Sequence, residues 1–426
     1  MLLSSISADL TILCKVVDNF GDIGFVYRLA KNLVQLNPQR EIRIAVDNLA
    51  AFNKIESRVD PALAEQVLEV ACADSLQAQE SAGKAGNEGK PKTAAETKSV
   101  GKPKTAGRLR IFDATYAAVC AREWTKKPAR VILECFQCGR PDWLEALLFD
   151  GVTCALIINI DYLTAEDYAE EFHRLKSGTR SPLVRKVNFM PGFTAKTGGL
   201  ILDAAAENAC KPKNAPATEN GFITKTAGPQ ILMFSYPKDF APIIRAILRW
   251  NKAAQVNLAQ GAGKESFLAA NENCLQDQKA GGLFVRELPF LSQEEWDKNL
   301  YAQDILFVRG EDSLSRACLS GKPFVWQAYL QDGNYQLVKV RALLARMRPH
   351  FAPGDFAALE NFWLLYNGAE SSGKPKTAGA AMEEACYGFL ERSDKMKAGF
   401  EAFARSLFEL GNFAEKLDEF VSSQEL

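Results

Sequence analysis

At 426 residues the chain is longer than one ordinary hydrophobic core fills, and it fits two domains. Hydrophobic residues at 47% and charged residues at 24% are the proportions of a folded globular protein, which excludes a fibrous or largely disordered chain. Fifty-one basic against 52 acidic residues leave a net charge of -1, so no global field draws the protein to nucleic acid or to an anionic membrane.

The first residues, Met1 to Asp9, hold no basic region ahead of a short apolar run, so a secretory leader is not expected. No stretch approaches the roughly 18 uninterrupted apolar residues of a membrane helix. Ten cysteines, mostly in apolar surroundings, read as reduced core residues, and the expected location is the cytoplasm.

In chain order, residues 10–17 read as a buried strand that runs into Val17-Asp18-Asn19-Phe20-Gly21-Asp22-Ile23-Gly24, and a helix pattern follows over 25–36. Two aspartates four apart, held by two glycines at the carboxyl end of a strand, suit a base that faces a cleft. They equally suit a helix cap beside a tight turn, and spacing leaves both readings open. Further buried strands are expected at 42–46, 131–134 and 155–159, with a helix over 165–175. Alternation of this kind predicts a parallel sheet covered on both faces.

The segment 77–107 is rich in Gly, Lys, Thr, Ala and Pro and contains Gly-Lys-Pro-Lys-Thr-Ala twice; the hexapeptide returns within a second expected insertion, 369–380. Such composition cannot offset its ordering entropy and reads as solvated surface insertion, with a basic tether as the alternative. The spacing of a P-loop is absent.

After an irregular linker at 196–228 the α/β pattern restarts, with strands at 230–234, 283–287, 305–308 and 323–326 and helices at 241–251, 293–302 and 335–346. The strand at 305–308 leads directly into Arg309-Gly310-Glu311-Asp312-Ser313, where the opening N–H groups of a helix and a guanidinium would hold an anion such as a diphosphate. Two acids in that turn also match ordinary helix-start preference. Tyr236, Phe290 and Gln293 stand at strand ends where a flat base could stack and hydrogen-bond, or the rings are ordinary core aromatics. The expected fold class is therefore α/β, with two Rossmann-like doubly wound domains facing across a cleft: 1–195 and 229–405, followed by a last helix within 406–426, around 407–420, that crosses back to the first domain.

Two histidines in the whole chain, His173 and His350, leave no histidine triad or multi-histidine metal site. Cys135-Phe-Gln-Cys138 lacks a second ligand pair, and no Asp-x-Asp occurs, so no metal and no cofactor are expected.

The run from Val17 to Gly24 with Arg28-Leu-Ala30, Asp161-Tyr-Leu-Thr-Ala-Glu-Asp167, Pro191-Gly-Phe-Thr-Ala-Lys-Thr-Gly-Gly199, Leu288-Pro-Phe290, Arg309-Gly-Glu-Asp-Ser313 and the stretch from Trp326 to Gln331 together resemble the elongation factor P arginine rhamnosyltransferases, a family of GT-B architecture. The resemblance implies a dTDP-β-L-rhamnose donor, an arginine of elongation factor P as acceptor, inversion at the anomeric carbon and no metal. It also implies Asp22 as general base, Asp18 as its companion carboxylate and Glu311 as a second essential acid. The donor pocket it implies comprises Asn19, Phe20, Gly21, Tyr236, Phe290, Gln293, Arg309, Gly310, Asp312 and Ser313. Tyr27 stands where the family usually has Trp, and Gln327 where His is common. The competing readings are a transferase with a small-molecule or lipid acceptor and a nucleotide-sugar sensor; the sensor would have no need of Asp18 and Asp22.

Overall fold

The computed structural model describes residues 9–17, 20–71, 106–210, 228–251, 253–277, 283–370 and 378–424. Asp18, Asn19 and most of both expected insertions lie outside the described residues.

The first domain holds β1 (Leu10–Cys14), β2 (Ile42–Val46), β3 (Glu65–Ala71), β4 (Ala106–Asp113), β5 (Val131–Cys135), β6 (Ala155–Ile160), β7 (Lys176–Ser177) and β8 (Val184–Asn188). They form one sheet in the order β3-β4-β2-β1-β5-β6-β8-β7, parallel except at its two edges, where β3 and β7 run antiparallel to their neighbours. In register, Leu10 of β1 lies between Ile42 and Val131. The second domain holds β9 (Gln230–Met233), β10 (Gln255–Leu258), β11 (Phe284–Glu287), β12 (Ile305–Arg309) and β13 (Phe324–Gln327), all parallel, in the order β11-β10-β9-β12-β13. Each sheet reverses its winding beside its first strand, between β1 and β5 and between β9 and β12, and such switch points are where open α/β sheets bind ligands.

Strands such as Val131–Cys135 and Ala155–Ile160 are wholly buried, predominantly apolar runs, as strands covered by helices on both faces are. β10 is different, because Gln255 and Asn257 are buried polar residues. Asn257 Nδ2 donates to Gln230 Oε1 at 3.0 Å and Gln303 Oε1 at 2.7 Å, and Gln255 Nε2 donates to Asn257 Oδ1 at 2.8 Å, so these amides bond to one another inside the core.

The expected helix over 165–175 shrinks to Tyr168–Phe172. The chain leaves it through Arg174, whose φ is 64° and whose N–H donates to the Asn188 carbonyl at 2.8 Å, and it becomes the edge strand β7. The last expected helix is two elements. A helix of 32 residues, Ala378–Glu409, packs on the second domain, the chain turns at Gly411 with φ 83°, and Asn412 caps Phe413–Ser422 by accepting from the Ala414 N–H. Phe413, Ala414, Leu417 and Val421 of that final helix complete the core of the first domain, with an Arg40–Asp418 ion pair at its edge.

Tyr27 is fully buried, and its hydroxyl donates to Glu56 Oε2 at 2.6 Å. Burial pushes the Glu56 carboxyl up, but hydrogen bonds from Arg58 and Tyr27 outweigh burial and hold it at about 2. Because the folded value is depressed, this contribution to stability is present above the ordinary carboxylate value of about 4.3 and is lost as pH falls towards 2. Tyr27→Phe is therefore expected to cost about 1 kcal/mol at pH 7, read as a lower denaturant midpoint, with the difference from the parent shrinking below pH 4. Equal midpoints at pH 7 would count against the bond.

Candidate active site

The helix Gly21–Leu36 begins directly after the β1 loop, at the switch point of the first sheet. Its first turn carries Asp22, a carboxylate favoured there by the helix dipole. Asp22 is only 2% exposed, and its Oδ2 accepts the Val17 N–H at 2.8 Å, which closes the loop onto the helix start. No side chain caps this helix at Phe20, so Asp22 is not acting as a cap there.

Opposite, β12 ends at Arg309 and the helix Glu311–Leu319 starts at once. Gly310 between them has φ 70°, a conformation that lets the chain pass from strand to helix in one residue and that favours glycine. Glu311 lies with Asp22 in the wall of a small chamber, about 30 Å³, shared with Phe136, Tyr162 and Phe413. Phe136 and Tyr162 stack at 4.6 Å between ring centroids, and Phe136 and Gln137 both sit in the left-handed region, with φ of 57° and 52°. Two such residues in a row store backbone strain of the kind that clusters at functional sites. Burial raises the Tyr162 phenol, and the charges of Asp22 and Glu311 together with a hydrogen bond to Asp22 raise it further. The phenol thus stays protonated beside the carboxylate.

A second cavity of about 380 Å³ adjoins the chamber, with Gly21 and Asp312 lining both. Of the expected pocket residues, Phe20, Gly21, Phe290, Gln293, Arg309, Gly310, Asp312 and Ser313 line it. Phe290 stands at its rim, edge-on to Phe20 at 4.9 Å. Gln293 is buried in a helix start secured by a capping box between Ser292 and Glu295, and its Nε2 donates to the Gly24 carbonyl at 2.7 Å. The Arg309 guanidinium lies over the rings of Phe234 and Tyr236, 4.5 and 4.6 Å from their centroids. Tyr236 thus backs Arg309 rather than lining the cavity, and Gln327 Oε1 fixes it by accepting the Tyr236 N–H at 2.8 Å. Asp18 and Asn19 lie outside the described residues.

Sequence reasoning missed several groups here. Lys54, Trp296 and the loop Gln260-Gly261-Ala262 line the larger cavity, and Arg28, Tyr162, Phe136 and Arg316 line the chamber. The signal for the loop was the glycine pair Gly261 and Gly263 after β10. A Cβ on Gly263 would lie 2.4 Å from the Ser235 carbonyl oxygen, a contact with backbone that only a shift can relieve. Gly263→Ala is expected to cost about 1–3 kcal/mol by overpacking, measured as a fall in denaturant midpoint; an unchanged midpoint would refute the close approach.

The other chemistry-bearing residues have structural partners. His173 Nδ1 accepts the Met190 N–H at 3.1 Å, and burial lowers its pKa to about 4. Burial pushes the Cys138 thiol up to about 12 and Cys135 well above its ordinary value, which makes them poor nucleophiles. Among the described residues no group of three or more His, Cys, Asp or Glu is arranged to hold a metal ion, and no helix is long and apolar enough to cross a membrane.

A solved structure described as the structural basis for EarP-mediated arginine glycosylation of translation elongation factor EF-P superposes with a TM-score of 0.57 at 20% identity, covering 98% of this chain and 100% of that one. At that identity the likeness shows the fold, which is GT-B. A protein-arginine rhamnosyltransferase of Pseudomonas putida is 29% identical, over 84% of this chain and 86% of its own. One of Neisseria meningitidis serogroup B is 26% identical over 97% of both. The family model described as Elongation-Factor P (EF-P) rhamnosyltransferase EarP matches residues 10–88 and 105–422, and the chain belongs to that family.

Proposed function

We propose that this protein transfers L-rhamnose from dTDP-β-L-rhamnose to an arginine of elongation factor P, inverting the anomeric carbon, in the cytoplasm. One observation carries this reading: a cavity of nucleotide-sugar size, lined by aromatic rings, an amide and an arginine, adjoins at Asp312 a chamber that presents Asp22 and Glu311. The base stacks among Phe20, Phe290 and Phe234, and the buried Gln293 Oε1, which has no hydrogen-bond partner among the described residues, accepts its imide N–H. The diphosphate lies against Arg309, Ser313 and the N–H groups that open the helix Glu311–Leu319. These groups supply the positive charge that stabilises the departing dTDP, so this reading has no metal step.

An arginine is a poor nucleophile, since its guanidinium stays protonated to above about pH 12 and its lone pairs are delocalised. Asp22 takes one proton from the guanidinium as that nitrogen forms its bond to the anomeric carbon. The bond from that carbon to the diphosphate oxygen breaks on the opposite face, and its electron pair leaves with dTDP. Tyr162 steadies Asp22, Asp18 assists in holding the guanidinium, and Glu311 offsets the oxocarbenium-like charge that develops on the sugar.

The test is to offer purified elongation factor P with dTDP-, UDP- and GDP-linked deoxysugars in parallel and to map any modification by tandem mass spectrometry. Modification of one arginine from the dTDP donor alone is expected. Equal transfer from UDP-sugars, or transfer to another residue type, would overturn the assignment of the donor or of the acceptor.

A further inference from the structure

Arg28 follows Asp22 on the same helix, Gly21–Leu36, and it fastens the first domain to the second. Its guanidinium donates to Asp312 from Nε and Nη2, both at 3.0 Å, to Asp297 from Nη1 at 2.6 Å and Nη2 at 3.0 Å, and to Asp203 from Nη1 at 2.7 Å. Asp297 belongs to the helix Gln293–Ala302, Asp312 stands between Glu311 and Ser313, and Asp203 lies just before the helix Ala204–Cys210. Arg316 joins the cluster from the other side, with Nη1 at 3.1 Å from Asp203.

Building on the transferase reading above, we propose that Arg28 is a positioning residue that sets the distance between the base Asp22 and the helix holding the donor diphosphate. One planar guanidinium in the base's own helix reaches carboxylates from three separate segments, one of them adjacent to Glu311 and Ser313. Arg28, Arg316 and Asp297 are buried and Asp203 and Asp312 are partly buried, so these charge-assisted bonds are largely shielded from water and salt. The neighbouring links across the cleft are weaker: an ion pair at 4.0 Å between Lys31 and the exposed Glu294, a neutral hydrogen bond from Gln293 to Gly24 and an edge-on ring contact between Phe20 and Phe290. Farther from Asp22, Arg346 pairs with Asp167 at an exposed edge and the Tyr335 hydroxyl donates to Glu166. Most of each domain's apolar residues pack in its own core, with Leu163, Ala165 and Phe193 of the first joining the core of the second, so loosening this link alters the placement of the helix Gly21–Leu36 more than the folding of either domain. A lysine keeps the charge but cannot present five donors in a plane to three carboxylates.

The test compares the full-length parent with Arg28→Lys and with Asp297→Asn, a change that weakens the link at a residue lining neither cavity. For Arg28→Lys the expectation is dTDP affinity and acceptor KM each within about threefold of the parent. Its kcat is expected to fall by about a hundredfold, because a misplacement of about 1 Å suffices for such a loss, and small-angle scattering should show a larger radius. Asp297→Asn should lose less, again in kcat. A kcat within about threefold of the parent in a folded Arg28→Lys protein, or a loss found wholly in dTDP affinity, would overturn the proposal. If Arg28→Lys does not fold, Asp297→Asn decides by the same criteria. If the parent itself transfers no sugar, the transferase reading fails, and scattering alone judges the link: unchanged radii in the variants would overturn it.

Discussion

Asp22→Asn is expected to lower the rate of sugar transfer by about 10²–10⁴-fold while leaving dTDP affinity unchanged, as isothermal titration would measure it. The amide keeps the size of the carboxylate, and its oxygen still accepts the Val17 N–H that closes the loop, so the helix start survives. What disappears is the negative charge that orients a guanidinium and the lone pair that takes its proton. Asp22 lines the small chamber and not the adjoining larger cavity, which is why donor binding is spared. A variant that retained a tenth or more of the parent rate would remove Asp22 from the mechanism and return attention to Glu311 or to Asp18.

Arg309→Ala is expected to cost about 10²–10³-fold in kcat, the usual consequence of removing one preorganised group from developing negative charge. Two features of its setting make the loss specific. The guanidinium is sandwiched by contact with Phe234 and Tyr236, and Tyr236 is itself pinned by Gln327, so its orientation is fixed before any substrate arrives. Lysine carries the same charge without the flat stacking face, so Arg309→Lys should recover only part of the activity. Full activity in Arg309→Lys would show that charge alone matters there, and an unaffected Arg309→Ala would take the diphosphate away from this strand end.

Much of this was legible in the sequence because continuous apolar strands and strand-to-helix junctions leave direct marks. The strands at 42–46, 131–135 and 305–309, the loop that leads to Asp22 and the turn at Gly310 could all be read from local pattern. β10 could not, since Gln255 and Asn257 look exposed until Gln230 and Gln303 are seen beside them. β8 and the edges β3 and β7 were hidden for a similar reason: their residues alternate or are too few to make an apolar run. Asp312 read as a donor-pocket residue and does line the larger cavity, but the sequence did not show that both its carboxylate oxygens accept from Arg28, a partner 284 positions away in the chain. No local pattern announces such a pairing. The same holds for Tyr162 and Phe136, which reach the chamber of Asp22 only because β5 lies next to β1 in the sheet and β6 next to β5.

The most direct measurement is intact-mass analysis of elongation factor P after incubation with dTDP-β-L-rhamnose and this protein, with the Asp22→Asn variant in parallel. The account predicts a gain of one deoxyhexose, localised to a single arginine and absent with the variant. An unmodified acceptor in the presence of folded, dTDP-binding protein, or equal modification by Asp22→Asn, would contradict it.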